Sequence, residues 1–272
     1  MKMIRCFLLL VCCYSLSSCK QRLYKASSGS MKNTIPIGKH FLVTSANEFK
    51  NNDIVVFNYY GNDYQHPSEN EPHKFEQHWE QRVYRLVASS GDIIEIKDGD
   101  LFINDKPVPL PEKGLLMYEI KARQNIPELE DRQTDDNTDV VVNKVGDTIL
   151  YYAAITAKQV ADFRNQTSFI WSIRKYQEPM REDDTMYAKN SMGDQWSTTN
   201  YGPLKIPSPG ETFVVTEYNY KLYKNIPGVH VGNNTLKEKL YFVLGDNRNG
   251  AEDSRFIGLI PQSNMQGIVK IK

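Results

Sequence analysis

Two stretches that lie far apart in the chain contain the residue types that nucleophilic chemistry requires. The first is a small serine-rich turn, Ser27-Ser28-Gly29-Ser30, in which a hydroxyl and a backbone N–H can face one carbonyl group. The second runs from Tyr241 to Pro261, where an apolar strand is followed by a turn and a dense cluster of charged residues. Charges between apolar runs are partly desolvated, which strengthens their hydrogen bonds and ion pairs. On composition alone, the first stretch reads as a linker and the second as a polar hairpin loop.

The second stretch resembles the C-terminal signature of the type I signal peptidases, GDNRxxSxDSRxxG. The match holds in order and at the right spacing at eight positions: Gly245, Asp246, Asn247, Arg248, Asp253, Ser254, Arg255 and Gly258. By this resemblance, five of these residues support the structure of an active site: Asp246, Arg248, Asp253, Ser254 and Arg255. The resemblance extends over roughly residues 25–108 and 200–272.

The serine-rich turn resembles the nucleophile motif of the same family, SxSMxPT followed by an aliphatic residue. This resemblance makes Ser30 the nucleophile, and it makes Ser28 a contributor to the oxyanion hole. Met31 is then the apolar residue that follows the nucleophile at the substrate site. Asn33 stands where the family usually has proline, and we expect this departure to loosen the turn without removing a reactive group.

The general base of the family is missing from this chain. In the family, a Lys-Arg pair precedes Gly-Asp by five residues, and the lysine is the base. Counting back from Gly91-Asp92 places Arg85 at the arginine position and Tyr84 at the lysine position. An alignment through Gln81-Arg82 needs a three-residue insertion and still supplies no lysine.

A second departure affects the same site, because Ala251 replaces the serine that helps to hold the lysine. Burial beside apolar chain lowers the pKa of a lysine, but it raises the pKa of a tyrosine. Even without that penalty, a tyrosine supplies only about one phenolate per thousand molecules at neutral pH. We therefore expect Tyr84 to be a poor base and the activity to be absent or strongly impaired.

Two functions from different classes remain open. In the first, the chain is an endopeptidase that removes signal peptides from exported proteins, with Ser30 activated by another group; Lys32 is nearest in sequence. In the second, it is an inactive relative that binds signal peptides, or an envelope protein partner, without cutting. The resemblance implies that an extended substrate adds as a β-strand beside the strand before Ser30 and the strand near Tyr84. It implies no metal and no cofactor.

The elements that must position these residues are mostly strands. The chain contains 16 tyrosines and 11 phenylalanines, and helix-period patterns are scarce, which favours β structure. Ile93–Ile96 and Leu101–Asn104 flank an Asp-Gly turn and predict a hairpin. Further strands are predicted over Asn52–Phe57, over Tyr241–Leu244 and through Ile271. We predict a mostly β, signal-peptidase-like fold of two lobes, a catalytic core and an inserted β-rich cap with one short helix.

The predicted core comprises residues 19–108 and 200–272, and the predicted cap comprises residues 109–199, where the resemblance fades. Within the cap, Thr156 to Gln159 resembles a capping box that opens a helix through about Gln166. The polar residues 124–138 and 183–199 are interpreted as loops. A partner-binding module is an equally open interpretation of the whole cap.

The amino terminus has the pattern of a targeting segment. Residues 1–18 combine a basic start with an apolar run that is too short to span a bilayer. They end in a sequence that resembles a bacterial lipobox, with Cys19 as the lipid-bearing residue. The alternatives are an ordinary secretory signal and an uncleaved anchor. We expect a lipoprotein of the bacterial cell envelope, held to the outer side of the cytoplasmic membrane or to the outer membrane, without a catalytic transmembrane helix.

Charge and histidine content argue against two other classes of protein. Thirty-three basic residues balance 33 acidic residues, so there is no electrostatic footprint for nucleic acid. His66, His73 and His78 occur in a polar stretch, but their spacing fits no standard ligand pattern, and we assign no metal. The sequence does not indicate an oligomeric state.

Overall fold

The structure, a computed structural model, describes residues 21–60, 79–132, 140–166, 168–178, 189–190, 192–193 and 195–271. The predicted targeting segment, Cys19 and the three histidines of the polar stretch lie outside the described residues. The fold is mostly β, as predicted, and every pairing between its strands is antiparallel. Among the described residues, no helix is long and apolar enough to cross a membrane.

A seven-stranded sheet carries the residues of the candidate site, in the order β1-β2-β17-β3-β4-β15-β16. Its strands are β1 (Gln21–Lys25), β2 (His40–Thr44), β3 (Ile54–Tyr60), β4 (Trp79–Ser89), β15 (Leu240–Leu244), β16 (Ile260–Pro261) and β17 (Met265–Lys270). All five residues of β15 are buried. Because side chains alternate along a strand, Phe242 and Leu244 enter one apolar core while Tyr241 and Val243 enter another. The strand before the charged signature is therefore fixed on both faces.

A second sheet has the order β12-β5-β6-β7 and includes the predicted hairpin. Its strands are β5 (Ile93–Lys97), β6 (Asp100–Ile103), β7 (Lys106–Val108) and β12 (Tyr201–Lys205). The β5–β6 connection has positive φ at Asp98 and Gly99, as a two-residue type I′ turn requires. The remaining core hairpin consists of β13 (Thr212–Val215) and β14 (Gly232–Thr235).

The block that we interpret as a cap contains a sheet and an apolar core of its own. The sheet has the order β11-β8-β10-β9, with β8 (Leu116–Ala122), β9 (Val140–Val145), β10 (Thr148–Ile155) and β11 (Ile170–Lys175). Helix α2 (Ala157–Arg164) begins with the predicted capping box: Thr156 Oγ1 accepts from the Gln159 N–H at 3.2 Å, and Gln159 Oε1 accepts from the Thr156 N–H at 3.0 Å.

One prediction for the local structure was wrong, and the structure adds a short helix that the sequence did not reveal. The predicted loop at 124–138 contains a short helix, α1 (Pro127–Glu130), so the described part of the cap has two helices and not one. The charged signature contains another short helix, α4 (Ser254–Ile257), with Asp253 as its N-cap. Helices of four residues are too short to show an apolar period, so the pattern could not reveal them. A further short helix, α3 (Tyr220–Tyr223), contacts α4.

Candidate active site

The fold brings together the serine-rich turn and the charged signature, which are more than 200 residues apart. The carbonyl of Ser30 accepts a hydrogen bond from the Asn247 N–H at 2.9 Å, and the Asn247 amide donates to the Gly29 carbonyl at 3.2 Å. The sulfur of Met31, which is 1% exposed, accepts from the Asp246 N–H at 3.3 Å. These contacts fix the backbone on both sides of the Ser30 hydroxyl.

Gly245 is where the signature passes closest to the serine turn. A Cβ atom at Gly245 would lie 2.3 Å from the Cβ of Ala251 and 2.7 Å from the carbonyl oxygen of Ser30. Both neighbours are held in place, since one is a buried methyl group and the other is backbone. Only glycine allows this approach, so Gly245 sets the distance between the two stretches.

Asn33 adopts a backbone conformation that proline cannot adopt. Its φ is +70°, in the left-handed region, whereas proline is fixed near −65°. The N–H groups of Thr34 and Ile35 both donate to the carbonyl of Met31, at 3.0 and 2.7 Å. The Asn33 amide also donates to the carbonyl of Lys113, at 3.4 Å. Our expectation that this departure loosens the turn was therefore wrong, because the turn has a different geometry that is well supplied with hydrogen bonds.

Ser28, Ser30 and Tyr84 lie together, as their predicted roles require. The hydroxyl of Ser28 donates to the oxygen of Ser30 at 3.2 Å, and the hydroxyl of Ser30 lies 3.4 Å from the carbonyl of Gly250, which accepts its proton. The Tyr84 hydroxyl donates to the carbonyl of Glu252 at 3.0 Å. Ser30 is 7% exposed and Tyr84 is 3% exposed, so both hydroxyls are largely shielded from bulk water.

The phenol of Tyr84 is held in its protonated form. Burial is the main reason that its pKa lies above the ordinary value of 10, and the charge of Asp253 raises it further. A hydrogen bond with the Ser30 side chain, together with the charge of Arg82, offsets only part of this shift. The structure therefore agrees with the expectation that burial makes this position a worse base.

Arg82 is a component of the site that the sequence reasoning did not single out. Its guanidinium donates to the carbonyl and the carboxylate of Glu252, at 3.0 and 2.9 Å, and to the carboxylate of Glu80, at 3.2 Å. It also lies 4.4 Å from the centre of the Tyr59 ring. Arg82 and Tyr84 are two positions apart on β4 and therefore project from the same face, and this alternation is the signal that could have identified Arg82.

Two buried ion pairs support the site from behind. Arg85 binds both carboxylate oxygens of Asp246, at 2.8 and 2.7 Å, and the Thr34 hydroxyl donates to the same carboxylate. Arg255 binds both carboxylate oxygens of Asp253, at 2.8 and 2.9 Å. Since both aspartates are completely buried, these bidentate pairs hold the signature in one geometry.

The same charged segment is tied to the end of β15. The Asp253 carboxylate accepts from the N–H of Gly245 at 3.0 Å, and the Ser254 hydroxyl accepts from the N–H of Val243 at the same distance. The Arg255 guanidinium also reaches the carbonyl of Arg248, at 2.5 Å. The signature residues Asp246, Asp253, Ser254 and Arg255 thus all lie in the buried frame behind Ser30.

A cleft of about 650 Å³ opens beside Ser30. Its floor is apolar and includes Met31, Ile35 and Val56, and its walls are β1 and the first half of β4. Among the described strands, β1 pairs with β2 alone, and β4 pairs with β15 only from Arg85 onward. Each wall of the cleft therefore presents an unpaired strand edge, which is the feature that accepts an added peptide strand.

No lysine among the described residues contacts the Ser30 hydroxyl. Lys32, the nearest lysine in sequence, does not line the cleft, whereas Lys25 lines it with an exposed side chain. Within the described ranges, no hydrogen bond joins either lysine side chain to Ser30. The same part of the chain has no cluster of histidine, cysteine, aspartate and glutamate that could hold a metal ion.

Comparisons with known proteins point to a single family. The family model described as "Signal peptidase, peptidase S26" matches residues 1–160 and 172–272. The chain is also similar to the signal peptidase I of Aquifex aeolicus (strain VF5), with 21% identity over 270 residues that cover 98% of this chain and 80% of that protein.

Proposed function

The chain belongs to the type I signal peptidase family, and we propose that it binds signal-peptide segments of exported proteins beside Ser30 while cleaving them poorly or not at all. The observation that carries this proposal is the protonated, hydrogen-bonded phenol of Tyr84 at the position of the base. The other features of the site are present, namely the two buried ion pairs, the serine turn and the cleft. Binding of a peptide needs these features, whereas cleavage also needs a base.

The mode of binding that we propose is strand addition between the two walls of the cleft. The free edges of β1 and of residues 80–84 offer backbone groups to an extended peptide, which would close the gap between them. The walls already approach each other, since the Gln81 amide lies 3.4 Å from the Tyr24 hydroxyl. Side chains of the peptide that point inward would meet the apolar floor, which favours small, uncharged residues near Ser30.

For hydrolysis, the described residues supply a nucleophile and hydrogen-bond donors, whereas the two carboxylates that line the cleft, those of Glu80 and Glu252, are both bound by Arg82. Ser30 would attack the scissile carbonyl, and Ser28, whose hydroxyl donates to the Ser30 oxygen, would stabilise the oxyanion. Within the described residues, the Ser30 hydroxyl donates to the main-chain carbonyl of Gly250, and the neighbouring phenol of Tyr84 is protonated. Residual catalysis of roughly 10³ over water is what such a site retains when the base is lost.

Anchoring at a membrane is the second part of the proposal. The family is membrane-associated in bacteria, and a lipid on Cys19 would stand two positions before β1 begins at Gln21. Because β1 is one wall of the cleft, this attachment would hold the cleft close to the membrane surface. Signal peptides reach the enzyme from the membrane, so the arrangement suits such a ligand. We further propose that residues 19–108 and 200–272 form the core and that residues 109–199 form an inserted cap.

The test uses the full-length chain in detergent micelles with a fluorescent signal-peptide precursor. We expect saturable binding by the wild-type protein, and cleavage no faster than that of Ser30→Ala. A precursor with N-methylated backbone amides around its cleavage site should bind weakly, because strand addition depends on those groups. Specific cleavage by the wild type that Ser30→Ala abolishes would overturn the proposal of an impaired enzyme. Absence of both binding and cleavage would point to an envelope protein partner.

A further inference from the structure

The sheet of the cap ends in an edge strand, β9, that is open to solvent. Among the described strands, β9 pairs with β10 alone, and the register between them is continuous. Four of the six residues of β9 are valines, and its one charged residue is Lys144. Val141 and residues 143–145 are exposed. The outer edge of β9 is therefore accessible to another strand.

The other edge strands of the three larger sheets differ from β9. β7 and β12 contain the prolines Pro107 and Pro203, and β16 has only two residues. β11 has a bulge where it pairs with β8, and it ends in Arg174 and Lys175. β1 is a wall of the cleft. Prolines, bulges, cations and very short strands prevent edges from pairing with other molecules, and of these features β9 has only the single Lys144.

The side chains of β9 are divided between the two faces of the cap sheet. Val140 and Val142 contact the apolar core of the cap. Val141, Asn143 and Val145 alternate with them and therefore lie on the opposite face. Val141 is 44% exposed and Val145 is 68% exposed. Both valines thus keep apolar surface that a strand added at this edge would cover.

A second copy of β9 is complementary to this edge. Two identical strands can pair in antiparallel orientation around a twofold axis perpendicular to the sheet, and each face of one sheet then continues into the same face of the other. Residues that lie opposite each other across the axis must therefore come from the same face. With Asn143 on the axis, Val141 of one protomer lies opposite Val145 of its partner. This contact occurs twice, so all four exposed valines are covered.

The two neighbouring registers are less favourable. With Val142 on the axis, Val141 would lie opposite the polar Asn143, and Val145 would have no residue of β9 opposite it. With Lys144 on the axis, the two lysines would face each other, and like charges in that position are destabilising. With Asn143 on the axis, each Lys144 lies opposite a valine, Val142. Charge and apolar pattern therefore select the same register.

We propose that the β9 edge is a self-association surface, through which two copies of the chain join their four-stranded cap sheets into one continuous sheet with Asn143 on the twofold axis. Helix α2 contacts β11, at the opposite edge of the cap sheet, and leaves this edge accessible. No residue of β9 lines the cleft, so the dimer keeps both candidate sites open. The paired segment is short, and the dimer is therefore weak in dilute solution. This inference does not depend on whether the protein binds or cleaves signal peptides.

Disulfide trapping of the full-length chain in detergent tests both the dimer and its register. In Asn143→Cys the two Cα atoms would lie about 4.5–5.5 Å apart, within the range of a disulfide. In the matched control Lys144→Cys they would lie roughly 8 Å apart, which is too far. We expect roughly tenfold more linked dimer for Asn143→Cys, above the background set by the four native cysteines of the wild type. Val141→Cys and Val145→Cys should be linked when mixed, but neither should be linked alone. Equal trapping at positions 143 and 144 would overturn the proposal.

Sedimentation of the same detergent-solubilised chain measures the association without cysteine chemistry. The wild type should shift from monomer to dimer as its concentration rises, and Val141→Lys with Val145→Lys should remain monomeric, because its lysines would face each other. Val214→Lys is the matched control, since Val214 is 57% exposed on the core hairpin, and it should still dimerise. Mixing the double-lysine variant with Val141→Glu and Val145→Glu should restore a dimer of the two. A wild type that stays monomeric at every concentration, or a double-lysine variant that dimerises like the wild type, would refute the proposal.

Discussion

The Tyr84 hydroxyl donates its single proton to the main-chain carbonyl of Glu252, at 3.0 Å. A phenolate at this position would lose that hydrogen bond and would place a negative charge against a carbonyl oxygen. Burial, which shields the site from water, also raises the pKa of the Tyr84 phenol. We therefore expect that Tyr84 does not deprotonate Ser30.

The double substitution Tyr84→Lys and Ala251→Ser is expected to create cleavage activity. Lysine in this buried position has a lowered pKa and can accept the Ser30 proton, and the serine at position 251 supplies a hydrogen bond to hold it. General-base catalysis contributes about 10²–10⁴-fold, so we expect precursor cleavage to rise by that range over the wild type. The measurement is cleavage of a signal-peptide precursor by full-length protein in detergent.

The control for this experiment is the same double variant with Ser30→Ala, which should return cleavage to background. A double variant that folds and binds the precursor but cleaves no faster than the wild type would show that more than the base is missing. Activity in the wild type that the double substitution leaves unchanged would show that another group already serves Ser30.

Tyr84→Phe separates a structural role of the hydroxyl from a catalytic one. The substitution keeps the ring but removes one of the two hydrogen bonds to the Glu252 carbonyl, the other being donated by Arg82, and we expect the free energy of unfolding to fall by at most about 1 kcal/mol. Tyr201→Phe is the matched control, because the buried Tyr201 hydroxyl has no hydrogen-bond partner among the described residues and its removal should leave stability unchanged or raise it. Precursor binding should be retained in both variants. Measurable wild-type cleavage that Tyr84→Phe abolishes would instead assign the phenol a catalytic role.

Local signals account for the parts of the fold that the sequence predicted well. The β5–β6 hairpin follows from its Asp-Gly turn, and α2 follows from the Thr156 capping box. The strand β15 was predicted from an apolar run, and its burial on both faces explains why that run does not alternate with polar residues. In each case the determinant lies within a few residues of the element itself.

Features that depend on distant partners were not predictable in this way. The left-handed conformation of Asn33 is stabilised by contacts that include the carbonyl of Lys113, 80 positions away. The contacts of Arg82 with Tyr59 and Glu252 require three separate segments to be folded together. A resemblance to family motifs predicted which residues meet, but it could not predict a conformation at a position where the chain departs from the motif.

Gly245→Ala is expected to disturb the site through sterics alone. The added methyl would lie 2.3 Å from the Ala251 Cβ and 2.7 Å from the Ser30 carbonyl oxygen, so the serine turn must shift. We expect a loss of about 1–3 kcal/mol in unfolding free energy, as for other overpacked sites, together with weaker precursor binding. The measurements are chemical denaturation and fluorescence titration.

Gly29→Ala is the matched control, because its methyl would meet only the end of the Ile37 side chain, at 3.7 Å, an ordinary contact distance. This variant lies in the same turn and should fold with nearly wild-type stability. If both glycine variants lose stability equally, the close approach at Gly245 is not the cause. If neither does, the signature must be able to move away from Ser30 at little cost.

Stability at alkaline pH is expected to fall in part because of two buried tyrosines, Tyr59 and Tyr223. Burial raises the pKa of Tyr59 and that of Tyr223 from 10 to about 12. Below pH 10 both residues are protonated in the folded and unfolded chains, and their contribution to stability is fully present. Between pH 10 and 12 the unfolded chain releases these protons while the folded chain keeps them, so unfolding becomes easier as the pH rises. Each residue adds a slope of up to about 1.4 kcal/mol per pH unit.

The double variant Tyr59→Phe and Tyr223→Phe should therefore show a shallower decline than the wild type. Urea denaturation at several pH values from 8 to 11.5 measures the slope, and phenolate absorbance reports when the tyrosines ionise. Tyr218→Phe is the control, because Tyr218 is 57% exposed and its removal should leave the slope unchanged. Equal slopes for the wild type and the double variant would show that neither phenol has a higher pKa in the folded chain than in the unfolded chain. Since Tyr59 lies against Arg82 in the wall of the candidate site, a loss of precursor binding in the same pH window would link its ionisation to the cleft.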